Sequence, residues 1–323
     1  MQGSALPLGF QLLVARITDS DGNTTATSIP IVVGNAPAVS ITSPTPDEEF
    51  FVGDVVGLEA SASDAEDGDL SALITWSSNL QGPLGGGAAI GASLVEGTHT
   101  ITATVSDLSG LQGSDEFVVI IQPTPPGGFG TATIDGIIGA TEYDSAVQFD
   151  FLVNLPEGGV VPGTFQVMND LDNLYIAVSY PRLAEDQGGN AISVEFDVDN
   201  DRAVSGGDDG LVFNSAVGFS DVIRISNDQN PAICAPANSP CSFRDVTVGG
   251  SNDGEADFVN NLATNTFELS HPLDSGDPND ISLGSGDRLR FANLFIRMVT
   301  GAPDFNVGDT SIDDFLIISI FDP

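Results

Sequence analysis

Carboxylates are the residues best placed to do chemistry in this chain. In "FDVDNDRAVSGGDDG", Asp197, Asp199 and Asp201 alternate at the end of an apolar run, and Asp208 and Asp209 follow a glycine pair. Alternate residues of a strand share a face. The first three therefore converge where the strand gives way to a loop, and with the last two they form an oxygen cage suited to calcium. A solvated acidic loop is the plain alternative. A second knot, Asp64, Glu66, Asp67 and Asp69 around Gly68, sets four carboxylates within six residues. These repel one another unless water or a cation separates them, and they lack the full EF-hand spacing. "SNDGEAD", with Asp253, Glu255 and Asp257, is a thinner pattern of the same kind.

Other chemistries find little support. Cys234 and Cys241 lie in "ICAPANSPCSF", a Pro- and Asn-containing loop in which a local disulfide is natural in an oxidising compartment. Their spacing is neither a redox nor a zinc motif, and two histidines, His99 and His271, are too few to complete a zinc site. Nucleophile-elbow, HExxH and phosphate-loop patterns are absent. Glycoside hydrolysis needs two opposed carboxyls in a cleft with aromatic subsites, and nothing in the sequence announces one. The expectation is a protein that is not an enzyme.

Charge narrows the partners. The chain has 46 acidic and 8 basic residues, all of the latter arginine, for a net charge of −38. No basic patch can form to neutralise phosphates, which argues against nucleic acid and against an anionic membrane surface. No run approaches the length of apolar residues needed to span a bilayer, and the N-terminus lacks the basic start of a signal peptide. Export, if it occurs, then relies on a signal outside this chain. Asp richness without lysine equally fits a saline habitat.

The elements that must position these residues are strands. Glycine (37) and proline (19) punctuate short runs rich in Val, Ile, Thr and Phe. "LGFQLLVARITDSDGNTTATSIPIVV" overlays "EGTHTITATVSDLSGLQGSDEFVVII" at a constant offset of 88 residues. Gly9 meets Gly97, Leu13 meets Ile101, Ala15 meets Ala103, Asp19 meets Asp107, Gly22 meets Gly110, and Ile29, Ile31 and Val33 meet Phe117, Val119 and Ile121. Each copy reads as a β-hairpin with one buried face. Residues 1–34 are then the last part of one module and residues 37–122 a complete one. An isolated hairpin is marginal in water, so residues 1–34 pack on the next module, meet missing strands from a partner chain or stay partly disordered; a plain fragment boundary is the ordinary reading, and donated strands from another copy the alternative. "QPTPPGGFG" reads as a linker over 123–130, and nine further strand-like runs follow without an amphipathic helix.

Two resemblances follow from these segments. The module containing "ASDAEDGDLSALITWSSNL" and "EGTHTITATVSD" is similar to bacterial immunoglobulin-like repeats, related to PKD and cadherin-like modules. That implies a core role for Trp76 and calcium at the Asp64–Asp69 loop. Farther on, "TIDGIIGATEYDSA", "FQVMNDLDNLYIAVSY", "ISVEFDVDND" and "FELSHPLDSGD" resemble, in that order, family 9 carbohydrate-binding modules and DOMON-like domains. Sugar binding in such modules implies aromatic platforms. No tryptophan lies in this region, Tyr175 alternates with an apolar face, and Tyr143 and Tyr180 remain as ligand-binding candidates. Haem binding, known in some DOMON relatives, would call on Met168, Met298 and His271.

The sequence thus predicts an all-β chain: tandem immunoglobulin-like β-sandwich modules, then a larger jelly-roll-like β-sandwich over 131–323. The function it favours is a non-catalytic, secreted or cell-surface structural or adhesive protein, calcium-stabilised, within a filament, with copies of itself or surface proteins as partners. A carbohydrate-binding accessory region is the second reading and a haem carrier the third.

Overall fold

The computed structural model describes residues 6–46, 48–154, 160–182, 191–198, 206–225, 241–261, 263–297, 305–306 and 317–321. It is nearly all β. Its only helical turns among the described residues are two short 3-10 segments, Ser71–Leu73 and Asp245–Thr247. The chain divides into two units, Met1–Thr124 and Pro125–Pro323.

In the first unit, strands Gly9–Thr18 and Thr24–Val33 form a separate two-stranded sheet. The repeat extends to the hydrogen-bond register. Gly9 lies opposite Val33 and Leu13 opposite Ile29, just as Gly97 lies opposite Ile121 and Ile101 opposite Phe117. It extends to the turn as well: Asp19 accepts the Asn23 amide at 2.8 Å and Asp107 the Leu111 amide at 2.8 Å. Gly22 and Gly110 both take φ near +85°, at +87° and +84°, a region in which other residues are strained.

The surroundings of the two hairpins differ. Gly97–Ser106 and Gln112–Gln122 are flanked by Thr75–Ser78, Gly82–Gly86 and Phe50–Phe51 in one sheet. A second sheet, built on Ala38–Ser43 and Val55–Asp64, supplies the other half of their core. Val55–Asp64 alternates exposed and buried residues throughout, the period of a strand with one wet face. Trp76 is buried in this core and donates Nε1–H to the Gly87 carbonyl at 2.9 Å. His99 is also buried, bonded to Ser78 and to the Val95 carbonyl. In the first hairpin the equivalent apolar residues are open: Leu13 is 53%, Ile17 71% and Ile29 58% exposed.

The second unit is a sandwich of two antiparallel sheets. One runs Val147–Asn154, Val160–Asn169, Asn173–Pro181, Thr264–Pro272, Glu255–Asn260. The other runs Cys241–Arg244, Gly218–Ile225, Asp209–Asn214, Ala191–Asp197, Arg288–Arg297, Phe305–Asn306, with Ile317–Ser319 also paired to Arg288–Arg297. Phe165, Phe196, Phe267 and Phe291 lie in the core between them, with edge-on contacts such as Phe165 to Phe291 at 5.1 Å.

The first of these sheets is covered on its outer face too. There Tyr143, with Ala132, Ile134, Ile138 and Ala146, packs on Met168, Tyr175 and Ala177. This is why "NLYIAV" is apolar at every position but its first: both of its faces are inside. Residues 125–130, read from sequence as linker, are part of the second unit instead. Pro126 accepts the Ser319 amide, Pro125 accepts the Ser319 hydroxyl, both at 2.9 Å, and Phe129 bridges to Asn169.

Candidate metal centre

At one end of the second sandwich the apolar alternation is interrupted from both sheets. Asp209 shares the inward face of its strand with Leu211, and Asp221, which pairs directly with Leu211, points the same way. From the opposite sheet His271 continues the inward series Phe267, Leu269. The loop after His271 adds Asp277 and Asp280, and the 3-10 turn Asp245–Thr247 adds Asp245. Ligand atoms of Asp209, Asp221, His271 and Asp280 all lie within 4.8 Å of one another, as do those of Asp245, Asp277 and Asp280. Asp280 belongs to both groups.

The hydrogen bonds fix each side chain yet leave oxygens to spare. His271 Nδ1 lies 2.7 Å from the Pro272 carbonyl, which can only accept, so Nδ1 carries the hydrogen. Nε2 therefore faces Asp221 Oδ2 at 3.0 Å and Asp280 Oδ2 at 3.7 Å. Asp280 Oδ2 also accepts the Ser275 hydroxyl, Asp245 Oδ1 accepts Asn279 Nδ2, and Asp209 accepts the amides of Gly210 and Ile281. The remaining oxygens, Asp221 Oδ1, Asp245 Oδ2 and Asp280 Oδ1, are buried with no hydrogen-bond partner. A buried oxygen left in that state is costly.

Charge makes the arrangement more demanding. Burial, helped by the charge of Asp221, pushes Asp209 up to about 8, and burial pushes Asp280 up to about 7. Burial, then the charge of Asp277, raises Asp245. Burial opposes a charged His271, but the hydrogen bond and charge of Asp221 outweigh it and hold the ring at about 9. The fold keeps these acids charged only if positive charge is brought to them. The group can hold a divalent cation that ties one sheet to the other.

The sequence-predicted residues fare differently. Of the described members of the Asp197–Asp209 cage, Asp197, Asp208 and Asp209, only Asp209 reaches the cluster. Asp209 pairs with core residue Phe196, so Asp197, the next residue, faces the other side. There it lies 3.5 Å from Arg290, while Asp208 accepts the Val198 amide. Asp199 and Asp201 lie outside the described residues. Asp64, Glu66, Asp67 and Asp69 do not gather. Asp64 accepts the amides of Glu66 and Asp67, Glu66 takes Asn35, Asp67 takes the Leu108 amide, and Asp69 takes Ser71. Each carboxylate is engaged by a different donor, with Asp64 Oδ2 alone buried without a partner, and the amide of Asp67, then that of Glu66, keeps Asp64 low.

Tyr143 and Tyr180 are buried, 4% and 1% exposed, so neither presents a ring face to a sugar. Met168 shares the outer face with Tyr175 and Ser270, whereas His271 is inward, so the two cannot meet at one haem iron. Met298 and Cys234 lie outside the described residues, as does the side chain of Cys241.

No family model and no curated protein matches the chain. Among solved structures, a family 9 carbohydrate-binding module from Caldicellulosiruptor kristjanssonii in complex with glucose is 12% identical, covering 61% of this chain and 95% of that one at a TM-score of 0.37. A carbohydrate-binding module of the β-sandwich superfamily is 10% identical, covering 82% and 98% at 0.26. A putative membrane-anchored protein from Corynebacterium diphtheriae is 12% identical, covering 93% and 64% at 0.21. Likenesses of this depth fix neither a family nor a ligand. Among the described residues no helix is long and apolar enough to cross a membrane.

Proposed function

We propose that the chain is a non-catalytic, extracellular structural or adhesive protein whose second sandwich is ordered by a divalent cation, calcium in the first instance. The observation that carries this reading is the buried carboxylate cluster reaching across the two sheets with unpartnered oxygens. Oxygen-rich sites of this kind suit hard cations. Strands equivalent to residues 38–94, whether from the same longer chain, another copy or a related surface protein, would cover Leu13, Ile17 and Ile29.

Thermal unfolding tests the cation. The chain's one tryptophan, Trp76, lies in the first unit and its three tyrosines in the second, so fluorescence and near-ultraviolet dichroism separate the two transitions. Millimolar calcium, against chelator and matched sodium, should raise the tyrosine transition and leave the tryptophan transition in place. Equal responses to every salt would reduce the effect to screening of the −38 charge and defeat the reading.

Glycan binding is a second reading, favoured by a recess on the outer face of the second unit lined by Asp150, Leu152, Pro162, Thr164, Ser179 and Thr264. Binding on a glycan array that is lost with Leu152→Asp and Thr164→Ala would support it. An array without signal would remove it.

A further inference from the structure

The cluster contains a nitrogen where a calcium site would have only oxygen. On the basis of the cation-ordered reading above, we infer that it holds two adjacent divalent cations bridged by Asp280. The inner position, made by His271 Nε2 with Asp209, Asp221 and Asp280, takes a first-row transition cation such as zinc. The outer position, made by Asp245, Asp277 and Asp280, takes calcium.

Three observations support the division. His271 has its Nδ1 hydrogen committed to the Pro272 carbonyl, the outer bond that orients a metal-binding imidazole and presents Nε2 as the ligand. A neutral imidazole with carboxylates suits zinc or manganese, whereas an all-oxygen group suits calcium. Asp245 and Asp280 each have one oxygen anchored by a neighbour's donor and the other buried without a partner, and Asp221, whose Oδ2 lies beside His271 Nε2, has its Oδ1 buried without a partner. Anchoring one oxygen and leaving its twin bare is how a ligand is held ready. The bare oxygens lie on the inner group, the outer group and the residue common to both. Asp277, oriented by Ser251 and by the Asn279 amide, completes the outer set.

The full chain, dialysed in salt against calcium and zinc together, should retain one of each by elemental analysis. His271→Gln should weaken zinc at least about tenfold and keep calcium. Asp277→Asn should do the reverse. Cobalt replaces zinc as a reporter: the parent chain should show visible d–d absorption and one strongly shifted, exchangeable imidazole proton, the Nδ1 hydrogen of His271. That spectrum needs no variant to fold. Calcium in both positions, zinc uptake indifferent to His271→Gln, or a cobalt form without the shifted proton would overturn the inference while leaving calcium ordering intact. If no cation moves the tyrosine transition, the underlying reading fails with it.

Discussion

In chelator, the second unit should lose stability as pH rises from 5 to 8. Asp209 is pushed up to about 8 in the fold but titrates near 4 when unfolded, so between those values the folded chain holds a proton that the unfolded chain has released. Stability then falls with pH, by about 1.4 kcal/mol per unit for one such proton. Three units amount to about 4 kcal/mol, a fall in melting temperature on the order of 10 °C for a domain of this size. Asp280, up to about 7, acts in the same direction. So does His271: its contribution is complete below pH 6.5 and is lost as pH rises through about 9. The acids held low, Asp64 and Asp277 among them, titrate below this window and do not blur it. Near-ultraviolet dichroism of the tyrosines follows the transition, with Trp76 fluorescence as the internal control. Saturating cation should flatten the slope, because the ligands bind it deprotonated, and Asp209→Asn should make it shallower without any cation, leaving the share of Asp280 and His271. A melting temperature that stays level or climbs between pH 5 and 8 in chelator would show that these acids are already ionised in the fold and refute the account.

Other outcomes are expected. Trp76→Ala should cost the first unit about 3–5 kcal/mol, read by far-ultraviolet dichroism, and a loss under 1 kcal/mol would contradict its place in the core. A Cβ at position 250 would fall on Asp245 Oδ2, so Gly250→Ala should weaken calcium binding in a titration, and unchanged affinity would take Asp245 out of the site. Asp64→Ala should lower the first unit's melting temperature equally with and without calcium, since its oxygen serves the amides of Glu66 and Asp67; a calcium-dependent loss would restore that loop as a cation site.

Short-range pattern made the strands legible, and the repeat was legible down to its register because eight matched positions kept one spacing. The cation cluster was not, and the reason is geometric. Asp197 and Asp209 are close in sequence and belong to opposite faces, whereas Asp221 and His271 are 50 residues apart and meet only when the sheets stack. One signal was available. Asp221 stands between Phe219 and Ile223, and His271 follows Phe267 and Leu269, each a charged or polar residue on the apolar phase of an alternating strand. The tyrosines misled for other causes: Tyr180 continues the inward series Ile176 and Val178 into the sandwich core, and Tyr143 belongs to the segment packed over the sheet's outer face.

The strand Ile317–Ser319, late in the second unit, is tied back to the unit's first residues, Pro125 and Pro126. Tension applied between these two segments would load that small junction first, and the sandwich would feel little of it until the junction opened.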